Sequence, residues 1–392
     1  MHRTGTGNSI LVLNAGSSSI KFAVFAPDLT EQIAGLADGI GSGPRLRIAG
    51  QEMPAGFAGH AGALEAVLRA LGDRGYPLTR FQAAAHRVVH GGGALTEPVC
   101  ITPQVIALIR DCTPLAPLHN PHNLAAIETL AALAPDLAQF ASFDTAFHAT
   151  NPAVATRYAI PRIPETKGIR RYGFHGLSYA SLVRALPTIS GVALPERLLA
   201  LHLGNGASLC AIQGGQSVAT TMGYSPLDGL TMGTRSGGID ANAVLRLVEE
   251  NGLERTKAIL NNESGLLGLS GGKSDMRKLM LDPSPESAFA VEHFCYWSLR
   301  HAGSLIAAME GLDAIAFTGG IGENAASVRA RVLKGLSWAG FALDEAANDA
   351  GHPRLHVPGS AVSCWIVPAQ EERMIAADAL NLMTSPPGDG KI

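Results

Sequence analysis

The chain has 392 residues, of which 46% are hydrophobic and 16% charged, with a formal net charge of -3. This composition supplies a packed core and excludes a disordered chain. The near balance of charge excludes a broad basic surface for nucleic acid. Forty-five glycines call for many tight turns or close approaches of backbone to ligand.

In chain order, the polar N-terminus leads into an apolar run, Ile10–Leu13, too short for the core of a signal peptide. Residues 10–14 and 20–25 read as strands around a Gly-Ser turn. Leu64, Val67, Leu68 and Leu71 have helical spacing, as do Leu124, Ile127 and Leu130 within 124–133. Strands are expected at 83–89 and 138–143, then at 198–203, 208–213, 313–317 and 362–367. Helices are expected at 241–251, 286–310 and 371–383, and one from Ala325 to Leu333. The tail Ser385–Gly390 is expected to be disordered. Alternating strand and helix patterns define an α/β class.

No stretch reaches the ~20 apolar residues of a membrane helix. Cys100, Cys112, Cys210, Cys295 and Cys364 are scattered without a CxxC pair. That usage fits a reduced, soluble cytoplasmic protein.

One internal similarity stands out. Ile10–Ser17 and Leu198–Asn205 both run from an apolar strand through a polar residue and glycine into a small polar turn. A second apolar strand follows each, which suggests a duplicated fold with a cleft between its halves. Chance resemblance of two hairpins reads the same way.

Three glycine-containing segments suit phosphate or nucleotide. In Asn14–Lys21, Gly16 permits a tight turn, Ser17 and Ser19 offer hydroxyls, Lys21 a cation, and Asn14 a ligand for a metal's water shell. An ordinary serine-rich turn reads equally well. Leu203–Ser208 repeats the theme, and Asn205-Gly206 equally specifies a type I′ hairpin turn. Thr318–Asn324 reads as a glycine-rich loop between a strand and a helix N-terminus, favourable to negative charge, or as a plain tight connection. Gly271–Ser274 resembles the end of a phosphate loop, but Leu267 stands where that motif needs glycine, so it reads as a plain loop.

Arg87 follows His86 in a segment that ends in three glycines, and Arg235 lies in Met232–Gly237. Two guanidinium groups beside glycine loops can clamp a carboxylate and a phosphoryl group; each alone reads as a salt-bridged surface arginine. His119 and His122 lack the partners of a zinc site. His175, in Tyr172–Gly176, can donate to a transferring phosphoryl group or serve structure.

Together these segments, with Leu115–Pro121 and Phe143–His148, resemble the acetate kinase family of the acetate and sugar kinase/actin-like superfamily, over nearly the whole chain. The resemblance implies duplicated actin-like (ribonuclease H-like) domains around a central nucleotide cleft that closes on substrates. One domain would comprise 1–146 plus 373–392, the other 147–372. It implies reversible, direct in-line transfer of the ATP γ-phosphoryl group to acetate or another short fatty acid, with Mg²⁺, for which Mn²⁺ can substitute. It also implies a cytoplasmic homodimer without nucleic-acid or membrane partners.

By match to the family's motifs, Asp144, His175, Arg235 and Arg87 would be catalytic, and Arg87, Val89, Leu118, Phe174 and Pro226 would receive the acyl group. Lys21, His202, Leu203, Gly204, Asn205, Gly206, Asp275, Met276, Arg277, Gly320, Ile321, Gly322, Glu323 and Asn324 would contact nucleotide, with Ser17 and Ser19 on its phosphates. Asn14 and Glu371 would position Mg²⁺, with Glu372 as the alternative to Glu371. The chain departs from the family pattern at Gly238, where Asp is usual, at Asp228, where Glu is usual, and at Gln370, where Asn or Asp is common. Propionate kinase of the same family, a sugar kinase or polyphosphate phosphatase of the same superfold, and a non-enzymatic actin-like ATP-binding scaffold are the rival readings.

Overall fold

The computed structural model describes residues 7–384. The expected tail at 385–390 lies outside them. The described residues divide into two compact units, one reaching Phe147 and resuming at Gln370, the other His148–Ala369. The return into the first unit therefore begins before Glu371 and Glu372, so both carboxylates belong to it, three residues earlier than the expected boundary.

The first unit carries an eight-stranded sheet. Its strands are β1 (Ser9–Ala15), β2 (Ser19–Phe25), β3 (Glu31–Asp38), β4 (Arg45–Ile48), β5 (Gln51–Met53), β6 (Phe81–Val88), β7 (Val99–Cys100) and β8 (Ala138–Phe143). The spatial order is β5-β4-β3-β2-β1-β6-β8-β7. β1 is central and covered on both faces, which is why Ile10–Leu13 is continuously apolar. Leu64, Val67 and Leu71 of the helix Gly59–Gly72 pack into the cluster of Leu11, Leu13, Phe22 and Val24. A second cluster gathers Val88, Ile109, Leu124, Ile127 and Phe143. The helix Glu371–Thr384 lies against β1, β6 and β8 and receives a 2.7 Å hydrogen bond from Ser142 Oγ at Asp378 Oδ2.

The second unit carries a five-stranded sheet of β9 (Arg197–Leu203), β10 (Ala207–Gln213), β11 (Gln216–Thr220), β12 (Ala314–Thr318) and β13 (Ser363–Ile366). Its order is β11-β10-β9-β12-β13. Each sheet thus holds the same frame: an antiparallel meander, β1-β2-β3 or β9-β10-β11, flanked by two strands parallel to its first, β6 and β8 or β12 and β13. The two similar sequence segments are the opening hairpins of these frames. The fold is a duplicated α/β architecture. No helix among the described residues is long and apolar enough to cross a membrane.

Three expectations need correction. Gly319–Asn324 is helical, not a loop, and the next helix is Ala326–Gly335. β12 runs straight into the turn through Gly319, whose φ is +79° and where a Cβ would lie 2.8 Å from the Leu203 carbonyl oxygen. Only glycine fits that bend. At Asn205-Gly206 the backbone lacks the positive φ that a type I′ turn requires; the hairpin closes through Gly204 N–H to Gly206 O at 3.0 Å instead.

Candidate active site

In open sheets with parallel strands, ligands gather at the carboxyl ends of those strands. In the first unit, Asn14, Arg87 and Asp144 all stand at such ends, those of β1, β6 and β8. Arg87 Nε donates to Asp144 Oδ1 at 2.9 Å and Nη2 donates to Asp144 Oδ2 at 2.5 Å, a bidentate pair. Nη1 donates to Asn14 Oδ1 at 3.2 Å. Asp144 is only 2% exposed, so this pairing is shielded from water. Burial opposes the Arg87 charge; Asp144, aided by Glu371 and Glu372, more than offsets it and raises the guanidinium pKa.

Lys21 faces Asn14 across the hairpin, and its Nζ pairs with Glu372 Oε1 at 2.8 Å. This separates the two candidate carboxylates: Glu372 is engaged by Lys21, and Glu371 lies among Arg87, Asp144, Glu372 and Lys21. Burial raises the Glu371 pKa, opposed by Arg87 and reinforced by Asp144 and Glu372. Asn14 and Glu371 would supply oxygen donors of the kind Mg²⁺ takes. Among the described residues no three His, Cys, Asp or Glu side chains converge as a metal cage. Mg²⁺ does not need one, because it retains waters and takes one or two carboxylates plus substrate phosphates.

Sequence reasoning missed what holds this set in place. Gly16 N–H closes the serine turn on Ser19 O at 2.8 Å, leaving Ser17 exposed. His60 Nε2 grips Gly16 O at 2.7 Å and stacks on His122 at 4.3 Å. At the start of the helix Asn120–Leu133, Asn123 donates to Ala15 O and accepts from Val89 N–H, tying the end of β1 to the segment after β6. Asn120 both accepts from His90 N–H and donates to His90 O. An asparagine amide matches a peptide's donor and acceptor, yet nothing in the one-dimensional pattern marks these two. Val89 is buried beside this network and Leu118 is 51% exposed.

In the second unit, a cavity of about 640 Å³ is lined by three of the expected nucleotide segments, at Gly204-Asn205, Asp275–Arg277 and Gly320, Ile321 and Asn324. Asp275 caps the helix Met276–Leu281 and pairs with Arg277 at 2.8 Å. Of the expected contacts in this unit, His202, Leu203, Gly206, Gly322 and Glu323 do not line that cavity. Leu203 is wholly buried in the core. Gly322 is buried behind the helix, facing Phe317 and Leu201. The Glu323 carboxylate accepts from the backbone N–H groups of Gly319 and Ala369, both at 3.0 Å, so it staples the chain and does not face the cavity. His202 stacks on His175, with ring centroids 4.2 Å apart.

His175 caps the helix Gly176–Ser190 with φ +59°, a left-handed conformation uncommon for a residue with a Cβ. Arg235 Nη1 donates to Pro226 O at 2.7 Å. A Cβ built on Gly206 would lie 3.0 Å from Arg235 Nη2 and 3.1 Å from His175 Nε2. The glycine turn, the arginine and the histidine therefore converge, and any larger residue at 206 would push into both side chains. Phe174 is buried, its carbonyl accepting from His148 Nε2 at 2.9 Å. The departures Asp228 and Gly238 are neighbours: Asp228 pairs with Arg171 at 2.8 Å, and a Cβ on Gly238 would stand 3.5 Å from Asp228 Oδ1.

A glycine turn with an arginine and a histidine, beside a cavity of about 640 Å³, offers donors suited to phosphate. Comparison with known proteins agrees. The acetokinase family profile matches residues 9–377. The chain belongs to the acetokinase family. An acetate kinase of Rhodopseudomonas palustris (strain TIE-1) is 46% identical over 386 residues, covering 94% of this chain and 96% of that protein. The crystal structure of Porphyromonas gingivalis acetate kinase superposes with a TM-score of 0.89 at 34% identity, covering 96% of this chain and 100% of that one. A propionate kinase from Francisella tularensis subsp. tularensis SCHU S4 gives the same TM-score and identity over 95% and 98%.

Proposed function

We propose that this chain transfers the γ-phosphoryl group of ATP to acetate, reversibly, giving acetyl phosphate and ADP. The observation that carries the reading is the convergence of Arg235 Nη2 and His175 Nε2 on the Gly206 turn, next to the 640 Å³ cavity. The acceptor needs no general base, because a free carboxyl titrates near ~4 and is ionised at neutral pH. The difficulty is electrostatic: an anion must approach a triphosphate in line. Arg235 and His175 supply donors for charge developing on the phosphoryl oxygens. Arg87, oriented by Asp144, holds the acceptor carboxylate. Asp144 is committed to that arginine and takes no proton. Asn14 and Glu371 would hold Mg²⁺, which when bound screens charge on the phosphates. In this reading Ser17 and Ser19 would contact phosphate, and Val89, Leu118, Phe174 and Pro226 are the residues assigned to the acyl group.

The protein acts as a cytoplasmic homodimer in this reading. Free cysteines fit a reducing compartment. Exposed Phe289 and Tyr296 on the helix Pro285–Ala308 offer a second copy an apolar surface. Propionate is the alternative acceptor, favoured by the likeness to the Francisella protein; one methylene is worth only ~1–3 kcal/mol in an apolar pocket.

The test traps acyl phosphate with hydroxylamine from ATP, Mg²⁺ and acetate or propionate. A strong acetate signal, lost in Arg235→Ala, is expected. A larger kcat/KM with propionate would transfer the reading to that acid. No hydroxamate with either acid from folded, ATP-binding protein would overturn it, and ATP-dependent sedimentation of filaments would then indicate a scaffold.

A further inference from the structure

We propose that Tyr179 and Ser208 set the tautomer of His175, so that Nε2 carries its proton and faces the Gly204–Gly206 turn as a donor. The inference deepens the reading above by naming what makes His175 a donor there.

Ser208 Oγ, on β10, lies 2.8 Å from His175 Nδ1 and 2.5 Å from Tyr179 Oη. Tyr179 follows His175 by four residues, so the helix Gly176–Ser190 brings both side chains to one face. The serine hydroxyl has one proton for two neighbours. Either Tyr179 donates to Ser208 and Ser208 donates to Nδ1, or Nδ1–H donates to Ser208 and Ser208 to Tyr179. A phenol is a stronger donor and a weaker acceptor than an aliphatic alcohol, which selects the first direction. Tyr179 and Ser208 are both 0% exposed, so bulk water does not compete at the serine. Burial raises the phenol pKa well above its ordinary value, so the hydroxyl keeps its proton throughout the working range.

With Nδ1 accepting, the proton of a neutral imidazole resides on Nε2. That nitrogen is the one 3.1 Å from the Cβ position of Gly206. The opposite tautomer would turn a lone pair towards the anionic phosphoryl group. Tyr179 touches no substrate and is a positioning residue. The stacked His202 is held at the same nitrogen by another serine, Ser178 Oγ, at 2.7 Å.

The test combines two readouts on the full-length protein. Long-range ¹⁵N–¹H spectra of ¹⁵N-histidine-labelled protein near pH ~8, where free imidazole is neutral, identify each tautomer; the His175 signals are those lost in His175→Gln. The wild type is expected in the Nε2–H form. Tyr179→Phe, which removes only the hydroxyl, is expected to shift His175 towards Nδ1–H and to lower kcat about tenfold, with KM for ATP and acetate within about twofold, one displaced donor being a large fraction of such stabilisation. In a His175→Gln background the same change should alter kcat less than about twofold. Ser208→Ala gives the same readouts should Tyr179→Phe fail to fold. A wild-type His175 in the Nδ1–H form would overturn the proposal. So would an equal loss of kcat in both backgrounds, which would make Tyr179 a packing residue. An inactive wild type would instead remove the proposed reaction, and the tautomer spectra would still decide this inference.

Discussion

The two units build the same strand frame and place different chemistry at its carboxyl ends. In the first, charge is fixed by charge: Arg87 is locked on Asp144, Lys21 on Glu372, and Glu371 sits between them. In the second, the corresponding hairpin turn is glycine, the nearby side chains are a stacked histidine pair and one arginine, and a cavity lies alongside. The shared frame supplies positions, and the residues at its strand ends differ between the two copies. A prebuilt ion-pair set suits a small carboxylate and a metal, whereas an open, donor-rich turn suits a phosphate chain.

Substitutions in each unit test that division. Arg235→Ala should cost the most, roughly 10²–10³-fold in kcat, because the proposed donor to transition-state charge is lost; steady-state hydroxamate kinetics measure it. Asp144→Asn should release Arg87 and lower kcat/KM for acetate about 10- to 100-fold, with KM for ATP little changed. An equal rise in both KM values would erase the proposed difference between the units. Glu371→Gln should raise the Mg²⁺ concentration needed for half-maximal rate about tenfold, and an unchanged metal dependence would shift that role to another residue.

Acid should act on two buried histidines of the first unit. Burial pushes buried His86 down to about 4, only partly countered by its hydrogen bond with Gln139, and buried His90 to about 4. Both pKa values are depressed in the folded state. Their contribution is therefore present above the ordinary value of 6.5 and is lost as pH falls from there towards 4. Urea midpoints measured across that range should fall, with a shallower slope in His86→Gln. The smallest effect is expected at the exposed Arg246–Glu250 pair, where Arg246→Ala should change unfolding free energy by less than about 0.5 kcal/mol.

Much of this was legible in the sequence where one physical signal dominated. β8 and the helix Ala241–Asn251 fall at the expected residues, because a fully buried strand is continuously apolar and the helix has an aspartate cap. β3 and β5 went unread, since their mostly exposed and half-buried residues show no clean alternation, and β4 alternates over only four residues, too short a run to stand out. The helix Gly176–Ser190 was missed as well; it contains Pro187 and starts at a left-handed histidine without a side-chain cap. Gly319–Asn324 looked like a loop because glycine lowers helix propensity, yet tertiary packing against β9 overrides it. Of the site, the charged and glycine positions were readable as motifs. Asn120, Asn123, His60, Ser208 and Tyr179 were not, because their importance lies in partners 29 to 108 residues distant in the chain.

In the proposed transfer Arg87 holds the acceptor carboxylate and Arg235 acts on the phosphoryl group. A double-mutant cycle of Arg87→Ala and Arg235→Ala, read as kcat/KM for acetate in the hydroxamate assay, tests it most directly. Groups acting on one transition state should be non-additive, so the double variant should lose clearly less than the product of the two single losses. Losses that multiply cleanly would show two independent functions and contradict the account.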